Sequence, residues 1–278
     1  MLNRLNILFF LLIASAFSSC SLEKKLGNKF IAEPPPISIQ LFSPDFVYKY
    51  NHKGEAIRGF DSLTDAQQDS ALFYSSRYMQ FISDSAYLEH YMNNFISELR
   101  ALGFTVYLDN SVDSFLQSQP QSYILNISQV QLDEYYYPFA DSTYFGDTLY
   151  TMNIRLNAVD ASTWFELSKI NTQKPVKTTL YSTQSATDAF DGSFVMNGIT
   201  PGVRYREKTD SLKLKDIYDL AVYSGKKHAG YLFDYFMNQY IAYNMPDGYE
   251  ILGYYHYNRY RKTLVPTDDE RFEILGTK

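Results

Sequence analysis

The sequence predicts an α+β (mixed α/β) domain, in which helices pack on a mostly antiparallel sheet, after a signal peptide and a tether. Two segments have apolar residues at helical spacing, and several segments between them alternate apolar and polar residues with the period of a strand. Helices that stand apart from a run of strands are typical of this class, because each sheet face and each helix stripe must be buried against another element.

The first nineteen residues have the three zones of a secretory signal peptide. Arg4 supplies positive charge, residues 5–13 are almost continuously apolar, and residues 14–19 are mostly small. The apolar run is about half of the roughly 20 residues that a helix needs to cross a bilayer. We therefore predict that residues 1–19 are a signal peptide and not a membrane span.

Residues 17–20 carry a second N-terminal signal, Phe-Ser-Ser-Cys. They resemble a relaxed lipobox of Bacteroidota, the site at which a bacterial lipoprotein precursor is acylated on cysteine and cut before it, with Phe17 in place of the usual Leu and Ser19 in place of Gly or Ala. Cys20 is the only cysteine of the chain, which excludes an internal disulfide. The resemblance implies that acyl chains on Cys20 anchor the protein, since each buried CH₂ group contributes about 0.8 kcal/mol.

Residues 20–36 are predicted to be a lipidated tether. The segment is charged and ends in three prolines, which favour an extended chain of about 3.1 Å per residue. Ser21 implies the outer membrane, because Asp at this place in lipoproteins tends to mark inner-membrane retention, and the mixed charges of residues 22–25 favour the periplasmic face over export to the surface. Residues 37–278 are then predicted to form a single α+β envelope domain.

The first half of this domain is predicted to contain two strands and two helices. Residues 37–50 open with alternating apolar residues and predict a strand. Thr64 and Gln67 match a capping box and predict the start of a helix. A second, clearer helix ends at Gly103 and is followed by a strand over 104–109. The apolar stripe of this second helix consists of Leu88, Met92, Phe95, Leu99 and Leu102.

The second half is predicted to be a strand group followed by a helix and a last strand. The predicted strands cover 122–134, 149–159, 163–169, 176–183 and 190–195. The Asp160-Ala161 pair predicts a turn between the second and the third of them. A helix is predicted over 215–243, kinked or broken at Ser224-Gly225. A tyrosine-rich strand is predicted over 251–264.

This order of elements resembles small periplasmic lipoproteins of the LpoB, CsgG and PelC kind and the auxiliary lipoproteins of ABC-type lipid transporters. The matching part runs from the helix at 85–102, through the strands up to residue 169, to the helix at 227–243. It is a match of element order and not of a signature motif. The resemblance implies an accessory role, because such lipoproteins grip other envelope proteins, although a fold alone does not fix a function.

Composition and missing motifs argue against several functions. The net charge of −6 without a basic stripe argues against nucleic acid as a partner. The four histidines lack the spacing of metal ligands, and the GxSxG and phosphate-loop motifs are absent. We expect no catalytic residue, no metal and no cofactor. Asp133, Glu134 and Asp141, near the aromatic residues 135–139, keep a glycosidase open, which would need two carboxyl groups about 5 to 9 Å apart.

The candidate interaction surface is the tyrosine-rich C-terminal strand. If residues 251–264 are extended, Tyr255, Tyr257, Arg259 and Arg261 share one face, because side chains alternate along a strand. Tyrosine and arginine dominate interface hot spots, which favours a contact surface. An ordinary sheet strand explains the same residues, since tyrosine is favoured in strands and basic side chains blunt exposed sheet edges.

We interpret the sequence as a non-enzymatic accessory or binding lipoprotein in cell-envelope assembly or transport, anchored to the outer membrane through Cys20, facing the periplasm and binding an envelope protein. The alternative is a surface lipoprotein that binds or cleaves glycans, with tyrosines as stacking platforms, against which the single Trp164 weighs mildly. A concave aromatic site beside paired carboxylates would favour the glycan. A flat or convex aromatic patch would favour a protein partner.

Overall fold

A computed structural model describes residues 22–118, 121–170, 177–198, 202–251, 253–268 and 271–276. The predicted signal peptide, Cys20 and Ser21 lie outside these residues. The described chain contains both helices and a mixed sheet, which confirms the predicted combination of α and β structure.

Five α-helices and eleven strands form from the described residues. The helices are α1 (Leu22–Ala32), α2 (Asp65–Ser75), α3 (Asp84–Ala101), α4 (Val112–Leu116) and α5 (Leu214–Asn244). The strands are β1 (Ser38–Phe42), β2 (Tyr48–Asn51), β3 (Thr105–Tyr107), β4 (Ser122–Phe145), β5 (Thr148–Lys169), β6 (Lys177–Thr187), β7 (Ala189–Met196), β8 (Val203–Asp210), β9 (Tyr254–Asn258), β10 (Thr263–Thr267) and β11 (Glu273–Leu275). In the described part of the chain, none of the helices combines the length and the apolar content needed to cross a membrane.

Seven strands form the main sheet, in the order β11-β6-β5-β4-β1-β3, with β2 paired to β4 further along that strand. The pairs β4–β5, β5–β6 and β6–β11 are antiparallel. By contrast, β1 pairs in parallel with β3 and with β4, and β2 pairs in parallel with β4. The sheet is therefore mixed, and its antiparallel part is built around the two longest strands, β4 and β5.

The predicted turn at Asp160-Ala161 is wrong. β5 runs through this point without interruption, and Asp160 pairs with Asp133 of β4 on one side and with Ser185 of β6 on the other. Because both neighbouring strands continue past this position, ladder hydrogen bonds on both sides hold the segment extended. The two strands that the sequence predicted on either side of the pair are one strand.

Helices α3 and α5 form a layer on one face of the sheet, and their buried residues share one core with β1, β4 and β5. The two helices run in the same direction, because the Tyr218 hydroxyl near the start of α5 accepts a hydrogen bond from Ser83, just before α3, and Tyr91 further along contacts His228. The predicted stripe of α3 is confirmed, with Met92 and Leu102, the residue just after the helix, only partly buried. The buried residues of α3 are Tyr87, Leu88, Tyr91, Phe95 and Leu99.

Helix α5 is continuous over 31 residues, so the break predicted at Ser224-Gly225 is wrong. Gly225 instead marks the closest approach of α5 to α3. A Cβ atom at this position would lie 2.5 Å from the carbonyl oxygen of Tyr91 and 3.1 Å from the backbone nitrogen of Phe95. The glycine is needed because the two backbones touch, and tertiary packing on both sides maintains the helix through a residue of low helix propensity.

The first part of the predicted tether is not extended. It forms α1, which packs on α5 with Phe30 against Phe233 and Tyr240 at ring-centroid distances of 5.4 and 5.5 Å. Glu23 is buried and accepts a hydrogen bond of 2.9 Å from the Tyr255 hydroxyl. The charged composition of this segment concealed a helix whose inward face finds partners elsewhere in the chain.

The far ends of β4 and β5 project from the sheet as an arm. β2 pairs with β4 only as far as Glu134, and β6 pairs with β5 only as far as Ala158. Within the described part of the main sheet, residues 135–145 and 148–157 pair only with each other. At roughly 3.3 Å per residue this arm is about 35 Å long.

The hairpin β7–β8 packs on one face of the arm. The rings of Phe190 and Phe139 lie 5.1 Å apart, and the Tyr205 hydroxyl donates a hydrogen bond of 3.1 Å to Asp141. The arm is therefore a small two-layered structure with an aromatic seam, and this seam supports strands that the main sheet no longer flanks.

Two glycines of α5 are expected to respond in opposite ways to alanine. Gly225→Ala should lower the free energy of unfolding by about 1–3 kcal/mol, because the new methyl group meets the Tyr91 backbone. Gly230→Ala should raise it by up to about 1 kcal/mol, because nothing lies within 4 Å of the new Cβ and alanine is the better helix former. Urea denaturation measures both changes. The same effect at both positions would contradict a close approach at Gly225.

Candidate interaction surface

Four aromatic side chains form an exposed strip along β2. Phe46, Tyr48, Tyr50 and His52 occupy every second position, so the extended backbone places them on one face. The ring centroids of Phe46 and Tyr48 lie 4.8 Å apart, and those of Tyr50 and His52 lie 6.4 Å apart. Phe46 is 50% exposed and Tyr50 is 46% exposed. We call these four residues the aromatic strip.

The aromatic strip continues into the outer face of the sheet, opposite the α3–α5 layer. Tyr50 pairs with Asp133 of β4, which pairs with Asp160 of β5. His52 Nε2 lies 2.8 Å from Asp133 Oδ1, and the Tyr135 hydroxyl donates a hydrogen bond of 3.0 Å to Asp160. Burial and the Asp160 carboxylate raise the pKa of Tyr135 to about 12, so this hydroxyl keeps its proton and remains a donor at neutral pH.

This outer face is formed by strands, and the β7–β8 hairpin covers its continuation on the arm, where Phe139 and Asp141 lie on the same side of β4 as Asp133. α4 covers it over β1 and β3, where the rings of Tyr107 and Phe115 lie 5.6 Å apart. Over β2, β4 and β5, none of the described helices packs on this side. Antiparallel sheets commonly have one face on the core and the other towards solvent. The aromatic strip therefore belongs to a surface that is formed by neighbouring strands.

Beneath the aromatic strip, the next residue turns inward and enters a buried polar network. Lys53 Nζ lies 2.8 Å from Glu134 Oε1 and 2.8 Å from Asn157 Oδ1. The Glu134 side chain is fully buried and the Lys53 side chain is 7% exposed. Glu134 also accepts hydrogen bonds of 3.0 Å from the backbone N–H groups of Arg77 and Tyr78. One buried carboxylate therefore has a cationic partner and two backbone donors.

Asp188 extends this network to the start of α5. Its carboxylate accepts hydrogen bonds of 2.8 Å from the backbone and the side chain of Asn157, and one of 2.7 Å from the backbone of Leu212. Burial works to raise the pKa of Asp188, but these hydrogen bonds outweigh it and the pKa is lowered. The Tyr78 hydroxyl also donates to the Leu212 carbonyl at 2.9 Å. The network thus joins the segments before α3 and α5 to the two long strands.

The buried network fixes the orientation of the aromatic strip. The His52 backbone N–H donates to the Glu134 carbonyl at 2.8 Å, and the Lys53 backbone N–H donates to Asn51 Oδ1 at 3.1 Å. The chain therefore leaves β2 with His52 on the outer face and Lys53 on the inner face. A displacement of Lys53 from Glu134 would move the end of the strip with it.

The four residues of the predicted interaction surface do not lie on one extended strand. β9 and β10 form a hairpin, and the turn between them contains Arg259 and Arg261, so the single predicted strand over 251–264 is wrong. The Asn258 side chain accepts a hydrogen bond of 3.0 Å from the Arg261 backbone, which closes this turn. Tyr255 is 6% exposed, and Tyr257 is partly buried against the core.

Side chains of α5 and α3 bind this hairpin. Asp234 of α5 lies 2.6 Å from His256 Nδ1 and also accepts a hydrogen bond from the backbone of β9. Burial raises the pKa of Asp234, although these hydrogen bonds act against the change. Arg259 forms an ion pair with Glu98 of α3. The role of the hairpin in binding stays a prediction, and of the four residues predicted to form its surface only Arg259 and Arg261 are exposed.

The carboxylates that kept a glycosidase open do not flank one cleft. Asp133 lies on the outer face of β4, Glu134 lies in the buried network, and Asp141 lies on the arm beside Tyr205. Throughout the ranges that the structure describes, no three His, Cys, Asp or Glu side chains come close enough to hold a metal ion.

A second buried polar pair lies between α3 and α5. The Tyr91 hydroxyl is 2.8 Å from His228 Nδ1. Burial lowers the pKa of His228 to about 3, so its ring is neutral at physiological pH and shares this hydrogen bond with the tyrosine as a neutral imidazole. Phe165 and Phe272 enclose the imidazole at ring-centroid distances of 5.3 and 6.2 Å. The pair is enclosed in the helix–sheet interface and is part of the packing.

Sequence reasoning missed both the aromatic strip and the network. The alternation of Tyr48 and Tyr50 with polar residues was available as a signal for an outward aromatic face. Lys53 follows the strand predicted over 37–50, in a polar segment where a lysine is ordinarily solvated, and Asp188 lay between predicted strands. No local pattern predicts that these two residues approach Glu134, because the contacts depend on strands that are distant in sequence.

Comparison with known proteins leaves the geometry as the basis for interpretation. The chain matches no protein family model, and no curated protein matches it.

The buried ion pair is expected to be sensitive to the loss of one partner. Lys53→Met should lower the free energy of unfolding by about 3–5 kcal/mol, because it leaves the Glu134 carboxylate buried without its cation. Lys49→Met is the matched control. Lys49 pairs with Asp84 nearer the surface, at side-chain exposures of 18% and 32%, and its loss should cost about 1 kcal/mol. Equal losses, measured by chemical denaturation, would show that the buried pair has no special role.

The Asp188 carboxylate predicts a pH-dependent difference between two proteins. Its folded-state pKa is lowered, so its contribution to stability is present above the unfolded value of 3.8 and is lost as the pH falls through the folded value. Asp188→Asn should therefore cost about 1–3 kcal/mol at pH 7, and this deficit should shrink below about pH 4.

Thermal unfolding between about pH 2 and pH 7 measures this difference, with Asp191→Asn on the exposed face of β7 as the control. The control should stay within about 0.5 kcal/mol of the wild type. A deficit of Asp188→Asn that does not change with pH would contradict the role of the charged form.

Proposed function

We propose that the protein is a non-enzymatic accessory lipoprotein of the cell envelope, made with a cleaved signal peptide and acylated on Cys20, that binds another envelope protein through the aromatic strip. The outer membrane and its periplasmic face are the proposed location. The tether of this proposal is short, because α1 begins at Leu22 and packs on the domain.

The observation that carries the binding role is the exposure of the aromatic strip on the outer face of the sheet. Phe46, Tyr48 and Tyr50 place three large rings in contact with solvent, and each could bury a large apolar area against a partner. Tyrosine hydroxyls keep such a surface compatible with water until a partner covers it. Clustered aromatic residues on a rigid element are typical of interface hot spots.

The rigidity of this surface also supports a binding role. The end of the aromatic strip is held by the buried pair of Lys53 and Glu134, and Tyr50 is hydrogen-bonded through its backbone to β4. A preorganised surface loses less conformational entropy when it binds than a loop does. A partner would therefore gain more net free energy per contact here than from the exposed turn of the β9–β10 hairpin.

The position of the aromatic strip suits a protein that is anchored at its other end. Tyr123, at the start of β4, contacts Phe236 at a ring-centroid distance of 4.8 Å, whereas Glu134 lies beside the network that reaches Leu212, just before α5. β4 and α5 are therefore antiparallel. The strip and the arm lie at the N-terminal end of α5, and α1 packs towards its C-terminal end, where Gly27 meets Ile241.

One prediction of the proposed function concerns the anchor. Cys20→Ala should abolish acyl labelling and leave an uncleaved or soluble product, because the acylated thiol is missing. Ser21→Ala is the control and should remain acylated and membrane-bound. Metabolic labelling with a fatty acid, followed by membrane fractionation, measures both. Unchanged labelling and retention of Cys20→Ala would refute the anchor.

The second prediction concerns the partner. Replacing Tyr48 and Tyr50 together with Ala should reduce the recovery of a cross-linked envelope protein by roughly 30-fold or more, since a hot-spot ring is worth about 2 kcal/mol. Tyr144→Ala on the arm is the control, because Tyr144 is 68% exposed and remote from the strip. Cross-linking in intact cells with quantitative mass spectrometry gives the recoveries. Equal recovery from both variants, each with a native circular dichroism spectrum, would refute the strip as the binding surface.

A glycan is the second candidate ligand, and one observation favours it. Asp133 and Asp160 are direct cross-strand neighbours, with the Tyr50 and Tyr135 rings on the same face. Rings that stack on sugars and carboxylates that accept hydroxyl hydrogen bonds would suit an extended polysaccharide. Asp160→Asn should then weaken co-sedimentation with an insoluble polysaccharide, and co-sedimentation with no polysaccharide would remove this candidate.

A further inference from the structure

The end of the molecule that carries α1 has its own exposed apolar residues. Gly27 of α1 contacts Ile241, one turn before α5 ends, and Glu23 is hydrogen-bonded to Tyr255 at the start of β9. Residues 245–251 follow the end of α5 and Gly253 precedes β9, so these parts of the chain lie at the same end of the molecule as α1. The exposed large residues of this end are Leu22 (36%), Tyr243 (89%), Tyr249 (45%) and Ile251 (44%). We call these four residues the basal patch.

The chain length between the basal patch and the acylation site is very short. Only Ser21 separates Cys20 from Leu22, and two Cα–Cα steps span at most about 7.6 Å. Because α1 is docked through buried Glu23 and Phe30, the domain cannot move away from its anchor as it could on an extended tether. If Cys20 is acylated, as the proposed function holds, the lipid surface must lie within a few ångströms of Leu22.

We infer that the basal patch is a membrane-contact surface: Tyr243, Tyr249 and Ile251 contact the headgroup region of the leaflet that holds the acyl chains of Cys20. Tyrosine is favoured at this depth because its ring prefers the apolar side and its hydroxyl prefers water. The ligand of this surface is therefore a phospholipid bilayer. With the basal patch on the bilayer, the aromatic strip lies on the side of the molecule away from the membrane.

The charges around the basal patch show what kind of contact this is. Lys25 and Lys29 are exposed on α1, and Asp247 and Glu250 are exposed in the segment after α5. Lys24, partly exposed on α1, and Glu33, exposed just after it, add one charge of each sign, so the cations and anions around the patch balance at three each and leave no net charge that would select anionic lipid. The contact should rest on the aromatic and apolar side chains and should persist at about 1 M salt, where the Debye length is only about 3 Å.

The test uses the full acylated chain in phospholipid vesicles and one environment-sensitive fluorophore. Cys20 is the only cysteine and its thiol is acylated, so a thiol introduced elsewhere is the single labelling site. Ile251→Cys places the fluorophore in the basal patch. Tyr144→Cys places it on the arm and is the matched control. Vesicles that contain brominated or spin-labelled phospholipid quench only a fluorophore that lies at or below the headgroups.

The fluorophore at position 251 should shift its emission to the blue and be quenched several-fold more strongly than the fluorophore at position 144, with and without salt. Weak and equal quenching of both labels on chains that float with the vesicles would overturn membrane contact by the basal patch and leave the anchor intact. Chains that do not float with the vesicles would overturn both the anchor and the membrane contact by the basal patch. Quenching at position 251 that salt abolishes would overturn the apolar contact.

Discussion

One buried carboxylate, that of Glu134, constrains the end of the structure at which the arm leaves the main sheet. A buried charge is tolerated only when a counter-charge and hydrogen bonds replace the lost water, because its desolvation costs several kcal/mol. Lys53 and the backbone N–H groups of Arg77 and Tyr78 meet this need from segments 56 to 81 residues away in sequence. Each of these segments must therefore take one position on β4 before the carboxylate is satisfied.

This constraint explains why the irregular segments that contact Glu134 have defined positions, although they form neither a helix nor a strand. Apolar packing accepts small displacements, whereas a network of short polar contacts has one arrangement that satisfies all its members. Asn157 and Asp188 transmit that arrangement from Lys53 to Leu212, where α5 is about to begin. The loop after β2, the entry to α3 and the entry to α5 are thereby held at one end of the sheet, beside the base of the arm.

Local pattern was sufficient for α3 and for the capping box of α2, because periodicity and caps act within a few residues. It was not sufficient at Gly225, where a residue that weakens isolated helices is required by the α3 backbone, or at Asp160, where two flanking strands override turn propensity. The tyrosines of β9 were misassigned for a related reason: whether a ring faces solvent or core depends on Asp234 of a distant helix. The alternation of Tyr48 and Tyr50 made the aromatic strip partly predictable, whereas the buried network was not predictable, since Lys53 and Glu134 are 81 residues apart in sequence.

The docking of α1 changes what an anchor at Cys20 would do. A flexible tether would let the domain sample many heights and orientations, and its reach would be set by linker length. A docked helix would remove that freedom, and the distance from such an anchor to the aromatic strip would then depend on α5, whose 31 residues span about 46 Å. Because Gly225 lets α5 pass unbroken against the α3 backbone, the same helix contact that closes the core would, in an acylated protein, also help to set how far from the membrane the aromatic strip is presented.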